Sequence, residues 1–211
     1  MRTGEDMREL IDFYFVTDNP HKLEEANAAM SRYAITVKKF TEAKKIEIQD
    51  VNLEEIASTA LALILQKTDE PVFVEDSGLF VQHLNGFPGP YSSYVYDTIG
   101  SEGILKLLEG AKSRKAEFKS SVAFGMKGKW LVTFSSVTEG TIQLQARGEK
   151  GFGFDPIFVP MWNQKTFAEM EIAEKTIFSH RAKALTKLAL WYQNESSKKG
   201  FPETLIQQSV S

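Results

Sequence analysis

The chain has 211 residues, of which 42% are hydrophobic and 25% charged, and its formal net charge is -3. This length and composition are typical of one globular domain, and the mildly acidic balance excludes the global basic field of a nucleic-acid-binding protein. Because the chain has no cysteine, disulfides, cysteine-ligated zinc, iron–sulfur clusters and thiol catalysis are excluded as well.

No apolar stretch approaches the length of about 20 residues that a membrane-spanning helix needs. The first ten residues mix charges of both signs and lack the apolar segment of a signal peptide. We therefore expect a cytoplasmic protein that has neither a membrane nor a nucleic acid as a partner.

The first half of the chain alternates between strand and helix patterns. Short apolar runs predict buried strands, and apolar residues at helical spacing predict amphipathic helices. Asp18-Asn19-Pro20, between the first two elements, is typical of a helix start. The predicted elements are a strand over 13–17, a helix over 22–30, a strand over 35–40, a helix over 52–67, and a strand over 71–74 that ends in a turn at 75–78.

The second half begins with a helix over 101–109, which Ser101 caps and Gly110 ends. Lys127-Gly128 predicts the turn of a hairpin. The remaining predicted elements are strands over 115–126, 129–137 and 141–147, a loop over 151–156, a strand over 157–159, a short helix over 166–170 and a long helix over 176–193. Alternating helices and strands followed by a hairpin block indicate an α/β fold with a mixed sheet.

Polar residues follow two of the buried strands. Thr17, Asn19 and Lys22 surround a predicted helix N-terminus, where free N–H groups attract anions. Glu75-Asp76-Ser77-Gly78 follows another strand, at the sheet edge where α/β proteins bind ligands. Its carboxylates are hard oxygen donors of the kind that Mg²⁺ prefers. A capped helix with a surface lysine, and a solvated turn, are the alternative interpretations.

Two further segments are suited to binding a nucleobase. Gly151-Phe152-Gly153-Phe154-Asp155-Pro156 combines glycines, which let a backbone approach a ligand, with aromatic faces that stack on bases. Ser179-His180-Arg181 offers hydrogen-bond donors for a keto oxygen, and Lys175 lies one helical turn before Ser179. Taken singly, a glycine turn among core aromatics and a solvated helix also explain these segments.

The order of these segments carries more information than any one of them. The chain contains, in this sequence, Thr-x-Asn-x-x-Lys, Glu-Asp-Ser-Gly-Leu, Phe-Pro-Gly-Pro-Tyr at 87–91, Gly-Phe-Gly-Phe-Asp-Pro, Thr-Phe-Ala-Glu-Met and Glu-Lys-x4-Ser-His-Arg. This series resembles the inosine triphosphate pyrophosphatase family over about residues 13–192, and it looks most like the archaeal members. The Gly-Phe-Gly-Phe-Asp-Pro and Ser-His-Arg segments together are the most specific part of the match.

The resemblance implies an α/β fold with an elongated mixed central β-sheet flanked by helices, arranged in two lobes with an active-site cleft between them. We therefore expect an N-terminal extension over 1–11, a single two-lobed domain over 12–194 and a polar tail over 195–211. The family's activity implies a magnesium-dependent hydrolase that cleaves ITP, dITP and XTP to the monophosphate and pyrophosphate, which removes deaminated purines from the nucleotide pool. The family also implies a homodimer.

Residue roles follow from the same resemblance, position by position. The implied substrate-binding residues are Thr17, Asn19, Lys22, Ser77, Phe152, Gly153, Phe154, Asp155, Lys175, His180 and Arg181. Glu47 and Asp76 match the magnesium ligands, and Asp76 also matches the catalytic residue that activates water. Without the resemblance, Glu47 would read as an ordinary surface residue of a polar connection.

The chain departs from the family pattern at several positions. Asp18 stands in place of a glycine that is common in the first loop, and Thr176 stands in place of an asparagine. Ser93 occupies a position where some members have a lysine, and the helix near Ala57 lacks another. These departures leave open which cations neutralise the phosphates.

The predicted mechanism places the triphosphate against the first helix N-terminus, Lys22 and Lys175. Glu47 and Asp76, with Glu75 as a further candidate, hold the metal ion. Asp76, or a water that it orients, activates the water that attacks the α-phosphorus. Positioning and charge stabilisation supply most of the rate, as in phosphoryl transfer generally.

Base choice is predicted to come from His180 and Arg181, which donate toward a 6-keto oxygen. Adenine has an amino group at that place, so donor would face donor at a cost of about 1–3 kcal/mol. The alternatives are a pyrophosphatase of other nucleotide specificity and a non-catalytic nucleotide-binding protein. A substrate panel separates the first alternative, and ITP binding without turnover would indicate the second.

Overall fold

The computed structural model of the protein describes residues 10–197. Within this range the chain forms one sheet and five α-helices. The strands are β1 Ile11–Phe15, β2 Ile35–Lys39, β3 Val72–Val81, β4 Pro88–Gly89, β5 Lys115–Met126, β6 Trp130–Ile142 and β7 Phe158–Pro160. The helices are α1 Pro20–Met30, α2 Leu53–Ile64, α3 Ser92–Leu107, α4 Ile172–Phe178 and α5 His180–Ser196.

The predicted N-terminal extension over 1–11 and the polar tail over 195–211 lie almost entirely outside the described residues, so the division of the chain stays a prediction. None of the helices in the part of the chain that the structure describes has the length and apolar character that crossing a membrane requires.

The strands form a mixed sheet in the order β2-β1-β3-β5-β6-β7, with β4 paired to β3. β1 runs parallel to both of its neighbours, β2 and β3. The remaining neighbours are antiparallel: β5 pairs with β3, β6 with β5, and β7 with β6. Parallel neighbours need a crossover connection, and α1 supplies it between β1 and β2. The prediction of an α/β fold with a mixed sheet is confirmed.

Buried apolar side chains form three clusters. The first two belong to one lobe of the molecule and the third to the other. One cluster packs α1 and α5 against the sheet and includes Phe13 and Tyr192. A second lies beneath α2 and includes Phe40. The third contains residues of α3, β7, the C-terminal half of β3 and the N-terminal half of β5, among them Phe118. Phe40 and Phe118 both border one cleft, which therefore lies between the lobes.

The segment 75–78 differs from the prediction. A turn was expected there, but β3 continues through it to Val81 because residues 75–78 pair with residues 119–122 of β5 in an unbroken antiparallel ladder. The β5 partner strand also supplies a hydrogen bond to the buried acid, because Ser120 Oγ donates to Glu75 Oε1 at 2.8 Å. The prediction of a turn was wrong because the pairing partner lies far away in the chain.

The long helix predicted over 176–193 is also wrong, because the chain breaks at Ser179 into α4 and α5. Ser179 has an extended ψ of 132°, and its side chain accepts from the Ala182 N–H, so it caps the second helix. Helical spacing alone did not reveal this cap.

Two other boundaries differ from the prediction. α3 begins at Ser92 rather than Ser101, and Gly100, with a φ of +63°, kinks it so that Ser101 opens the second segment. The third antiparallel strand is not at 141–147: β6 extends to Ile142, residues 143–147 are irregular, and β7 pairs with the end of β6.

Gly78 generates a stability prediction, because a Cβ at this position would lie 2.1 Å from the Gly89 carbonyl oxygen of β4. Gly78→Ala must push β4 away, and such overpacking costs about 1–3 kcal/mol. Urea unfolding followed by circular dichroism measures the loss. Gly128→Ala at the hairpin turn is the control, because a Cβ there has open space and only the left-handed φ costs about 1 kcal/mol. A wild-type unfolding midpoint for Gly78→Ala would contradict the close approach.

Candidate active site

A cleft of about 560 Å³ lies between the two lobes. It is bordered by the end of β1, the start of α1, the middle of β3, the start of α3, the 152–155 loop and the junction of α4 and α5. All the residues predicted for the site line this cleft: Thr17, Asn19, Lys22, Glu47, Asp76, Ser77, Phe152, Gly153, Phe154, Asp155, Lys175, His180 and Arg181. The structure thus brings together segments that are up to 164 positions apart (Thr17 and Arg181).

The loop before α1 is shaped by its own side chains. Asn19 is the N-cap of α1, and its Oδ1 accepts from the His21 N–H at 2.9 Å and the Lys22 N–H at 3.3 Å. Thr17 Oγ1 accepts from the Asn19 N–H at 3.1 Å. These contacts fix the helix N-terminus at the cleft, while Lys22 Nζ reaches Glu75 Oε2 at 2.9 Å.

β3 presents its polar residues to opposite faces of the sheet. Successive side chains of a strand alternate, so Glu75 and Ser77 share one face and Asp76 takes the other. On the first face Arg181 contacts both residues, with Nε 3.1 Å from Glu75 Oε1 and Nη2 donating to Ser77 Oγ at 2.9 Å. On the second face Asp76 pairs with Lys45. One strand therefore serves two separate charge clusters.

The first cluster is centred on Glu25 of α1, which the sequence analysis missed. Its carboxylate pairs with Lys175 Nζ at 2.5 Å and with Arg181 Nη1. Burial opposes its ionisation, but Arg181 and Lys175 outweigh burial and lower the pKa of Glu25 to about 2. Glu25 shares a helix face with the buried Ala26 and Ala29, and an acid on an apolar stripe was the available signal.

The same cluster holds the other acids near Arg181. Burial raises the pKa of the Glu75 carboxyl, but Arg181 and Lys22 together hold that pKa well below its ordinary value. Burial raises the pKa of Asp155, and Lys175, 2.6 Å from Asp155 Oδ2, only partly offsets this. Glu75 and Glu25 in turn outweigh burial and raise the pKa of Arg181, so the guanidinium stays charged in the interior.

The 151–156 loop closes around Asp155, whose Oδ2 accepts from the Phe152 N–H at 2.9 Å. A Cβ at Gly151 would lie 2.1 Å from Asp155 Oδ2, so this loop requires glycine at that position. Phe152 stacks on His21 at a centroid distance of 5.5 Å, and Lys175 Nζ lies 5.2 Å from its ring centre. Phe154 is buried and forms a wall of the cleft.

His180 is the first residue of α5 and is 3% exposed. Its ring stacks on Phe118 at 4.8 Å, and Nδ1 has no hydrogen-bond partner among the described residues. Burial and the neighbouring Arg181 keep the pKa of His180 well below its ordinary value, so the imidazole is neutral at pH 7. The first-turn N–H groups of α5 lack intrahelical acceptors. This junction therefore offers donors and a buried neutral ring to the cleft.

The second cluster contains the two predicted metal ligands. Lys45 Nζ lies 2.7 Å from Glu47 Oε1 and 2.5 Å from Asp76 Oδ2. Burial raises the pKa of Asp76, and Lys45 only partly offsets it. The two carboxylates converge on one cationic point and are hard oxygen donors, so they fit a magnesium ion that keeps several waters. The described residues contain no group of three or more Asp, Glu, His or Cys suited to metal binding.

The balance of charge in the cleft also bears on ligand binding. Its lining includes six acidic side chains and five basic ones (Asp18, Glu47, Glu75, Asp76, Asp97 and Asp155 against Lys22, Lys44, Lys45, Lys175 and Arg181). A lining without net positive charge cannot by itself neutralise a polyphosphate. A phosphate ligand in this cleft therefore needs an added cation.

Sheet topology and cleft together define a two-lobed, mixed-sheet α/β protein with a charged interlobe site. Residues 13–191 match the model of the Ham1 family. The chain belongs to the Ham1 family.

Named relatives agree over most of the chain. A protein of Methanopyrus kandleri named dITP/XTP pyrophosphatase is 50% identical over 85% of this chain and 95% of its own length. One of Pyrococcus horikoshii with the same name is 47% identical over 84% of this chain and 95% of its own. Among solved structures, a HAM1 protein from Coxiella burnetii aligns with a TM-score of 0.77 at 29% identity, covering 88% of this chain and all of that one.

Glu25 generates a prediction with a pH signature. Glu25→Gln removes the buried carboxylate that pairs with Lys175 and Arg181. We therefore expect this substitution to lower the free energy of unfolding by about 3 kcal/mol at about pH 7. Because the pKa of Glu25 is about 2 in the folded protein against 4.5 ordinarily, the wild-type advantage is complete above about pH 4.5 and is lost toward about pH 2. Urea unfolding at about pH 7 and pH 3 measures both effects.

Glu24→Gln is the matched control, since Glu24 is the exposed neighbour on the same helix. We expect it to change the free energy of unfolding by less than about 0.5 kcal/mol. Equal effects of the two substitutions, or a Glu25→Gln effect that does not shrink at low pH, would contradict the bridging role of Glu25.

Proposed function

We propose that the protein hydrolyses the nucleoside triphosphates of deaminated purines, ITP, dITP and XTP, to the nucleoside monophosphate and pyrophosphate. The observation that carries this proposal is the convergence in one cleft of a carboxylate pair, buried cations and a segment suited to a purine. Membership of the Ham1 family and the names of the archaeal relatives support the same activity. The reaction would remove deaminated purines from the nucleotide pool.

The phosphates are proposed to lie at the start of α1. The free N–H groups and partial positive charge of a helix N-terminus favour an anion there. Asn19 and Thr17 hold this loop in shape, and Lys22 adds a full charge. Lys22 Nζ lies 2.9 Å from Glu75 Oε2, so Glu75 positions the ammonium near the start of α1.

Glu47 and Asp76 are the proposed ligands of the magnesium ion that the acidic lining calls for. Glu75, the further candidate, is already committed to Arg181, Lys22 and Ser120, which argues against a metal role for it. Bound magnesium would stabilise negative charge on the leaving pyrophosphate. Asp76 orients the attacking water and accepts its proton at a carboxylate oxygen.

The purine is proposed to lie against Phe152 with its 6-keto oxygen toward the start of α5. A guanidinium has five N–H donors. The contacts of Arg181 with Glu25, Glu75 and Ser77 do not use all five, so N–H groups of Arg181 remain for the purine. His180 adds the donor capacity of a neutral ring. An adenine amino group would face these donors and leave one of them unsatisfied, which costs about 1–3 kcal/mol.

The implied homodimer and the cytoplasmic location stay part of this proposal. The alternatives are a pyrophosphatase of other nucleotide specificity and a protein that binds nucleotide without turnover. The arrangement of Asp76 beside Glu47 favours catalysis, because a protein that only binds nucleotide has no need of a water-activating carboxylate.

The substrate and product are predicted together. We expect ITP and XTP to be hydrolysed with pyrophosphate as the first product, at least tenfold faster than ATP, a preference that corresponds to about 1.4 kcal/mol or more. Product analysis by ³¹P NMR identifies the phosphate released, and chelation of Mg²⁺ with EDTA should stop the reaction until Mg²⁺ is restored. Orthophosphate as the first product, or a preference for pyrimidine nucleotides, would contradict the proposal.

Asp76→Asn should abolish turnover, by about 10³-fold or more, because an amide cannot accept the proton of the attacking water. The folded state should survive, since Asn keeps the shape of the side chain. Initial rates with ITP and the circular dichroism spectrum are the measurements. Asp69→Asn makes the same chemical change on an exposed loop away from the cleft and should leave the rate unchanged. Near-normal turnover by Asp76→Asn would remove Asp76 from the mechanism.

A further inference from the structure

Lys45 lies in the connection between β2 and α2, and its side chain is 13% exposed. Its ammonium is within 2.7 Å of Glu47 Oε1 and 2.5 Å of Asp76 Oδ2, and it donates to the Glu75 backbone carbonyl at 3.3 Å. Three oxygens from three residues therefore surround a single nitrogen. This arrangement places a cation of the protein itself at the point where the two proposed metal ligands meet.

The other cationic groups of the cleft are disposed differently. Lys22 pairs with Glu75, and Lys175 pairs with Glu25 and Asp155, so the ion pairs of these two lysines avoid the proposed metal ligands. Lys44, the immediate neighbour of Lys45, borders the same cleft but is exposed. Among the lysines that line the described cleft, Lys45 therefore differs in that it forms ion pairs with both Glu47 and Asp76.

Lys45 and a metal ion cannot hold the same oxygens at once. Magnesium binds oxygen at 2.0–2.1 Å. An ion at that distance from both Glu47 Oε1 and Asp76 Oδ2 would occupy the space of the ammonium, and the two positive charges would repel each other. The flexible four-carbon stem of lysine allows the ammonium to move aside, which a shorter or rigid cation could not do as readily.

We propose that Lys45 is the resident counter-ion of the Glu47–Asp76 pair and that a divalent cation must displace it to bind. Without nucleotide, the protein therefore holds magnesium weakly. Magnesium enters chiefly together with the triphosphate, whose oxygens complete the coordination and whose charge receives the displaced ammonium. This inference rests on the proposed function for the identity of the metal site.

The test is isothermal titration of the full chain with Mg²⁺ and, separately, Mn²⁺, with no nucleotide present. Lys45→Met removes the charge and keeps most of the stem, and we expect it to bind each ion about tenfold more tightly than the wild type, a change of about 1.4 kcal/mol. Lys45→Arg retains a cation, so it should bind each ion no more tightly than the wild type. Lys44→Met should do the same, because Lys44 is not placed between the carboxylates.

A second readout covers the folding of the variant. Without metal, Lys45→Met leaves two close carboxylates uncompensated, so its Tm should fall below that of the wild type. Added Mg²⁺ should then raise the Tm of Lys45→Met by more than it raises the Tm of the wild type, because metal that binds the folded state stabilises it to a degree that grows with its affinity.

The proposal is overturned if Lys45→Met binds Mg²⁺ and Mn²⁺ no more tightly than the wild type, or if Lys44→Met tightens binding as much as Lys45→Met does. A Lys45→Met chain whose Tm does not respond to metal would overturn it as well. These titrations contain no nucleotide, whereas the substrate panel does not involve Lys45. Failure of one experiment is therefore distinguishable from failure of the other.

Discussion

The buried ion pairs around Glu25 are the interaction on which the rest of the cleft depends. Glu25, Glu75, Asp155, Lys175 and Arg181 are each at least 93% shielded from solvent. A single charge at such depth would be expensive, so each must have an opposite partner close by. The partners come from α1, β3, the 151–156 loop, α4 and α5, and the cluster therefore ties distant segments together. Correct placement of one segment is a condition for placing the others.

This network also orients the buried charged side chains of the cleft through contacts within the protein. Arg181 is held at both ends of its guanidinium, and Lys175 is held between Glu25 and Asp155. Donors that are already oriented need little reorganisation when charge develops on a ligand, which is the condition under which electrostatic stabilisation is most effective. The cost is that one lost carboxylate leaves a buried cation without its partner.

Local sequence patterns predicted most of the helices and strands, and the family resemblance predicted the residues that line the cleft, but neither could supply the pairing of distant segments. The 75–78 segment reads locally as a turn, because nothing nearby indicates that residues 119–122 extend the strand. Glu25 lies 150 positions from Lys175 and 156 from Arg181, so its role is visible only in three dimensions. Ser179 is different, because its capping tendency is local, but the prediction placed it inside a single helix over 176–193.

Successive side chains of β3 point to opposite faces of the sheet, so the adjacent acids Glu75 and Asp76 have different surroundings. Glu75 points to the face where it contacts Arg181, Lys22 and Ser120, and a carboxylate enclosed by such fixed groups contributes to architecture. Asp76, one residue later, points to the opposite face, where its close partner is the ammonium of Lys45. A carboxylate whose counter-ion can leave is available for a metal and for a proton, whereas one enclosed by fixed donors is not. In the proposed function, the pleat of one strand thus assigns Glu75 to structure and Asp76 to chemistry.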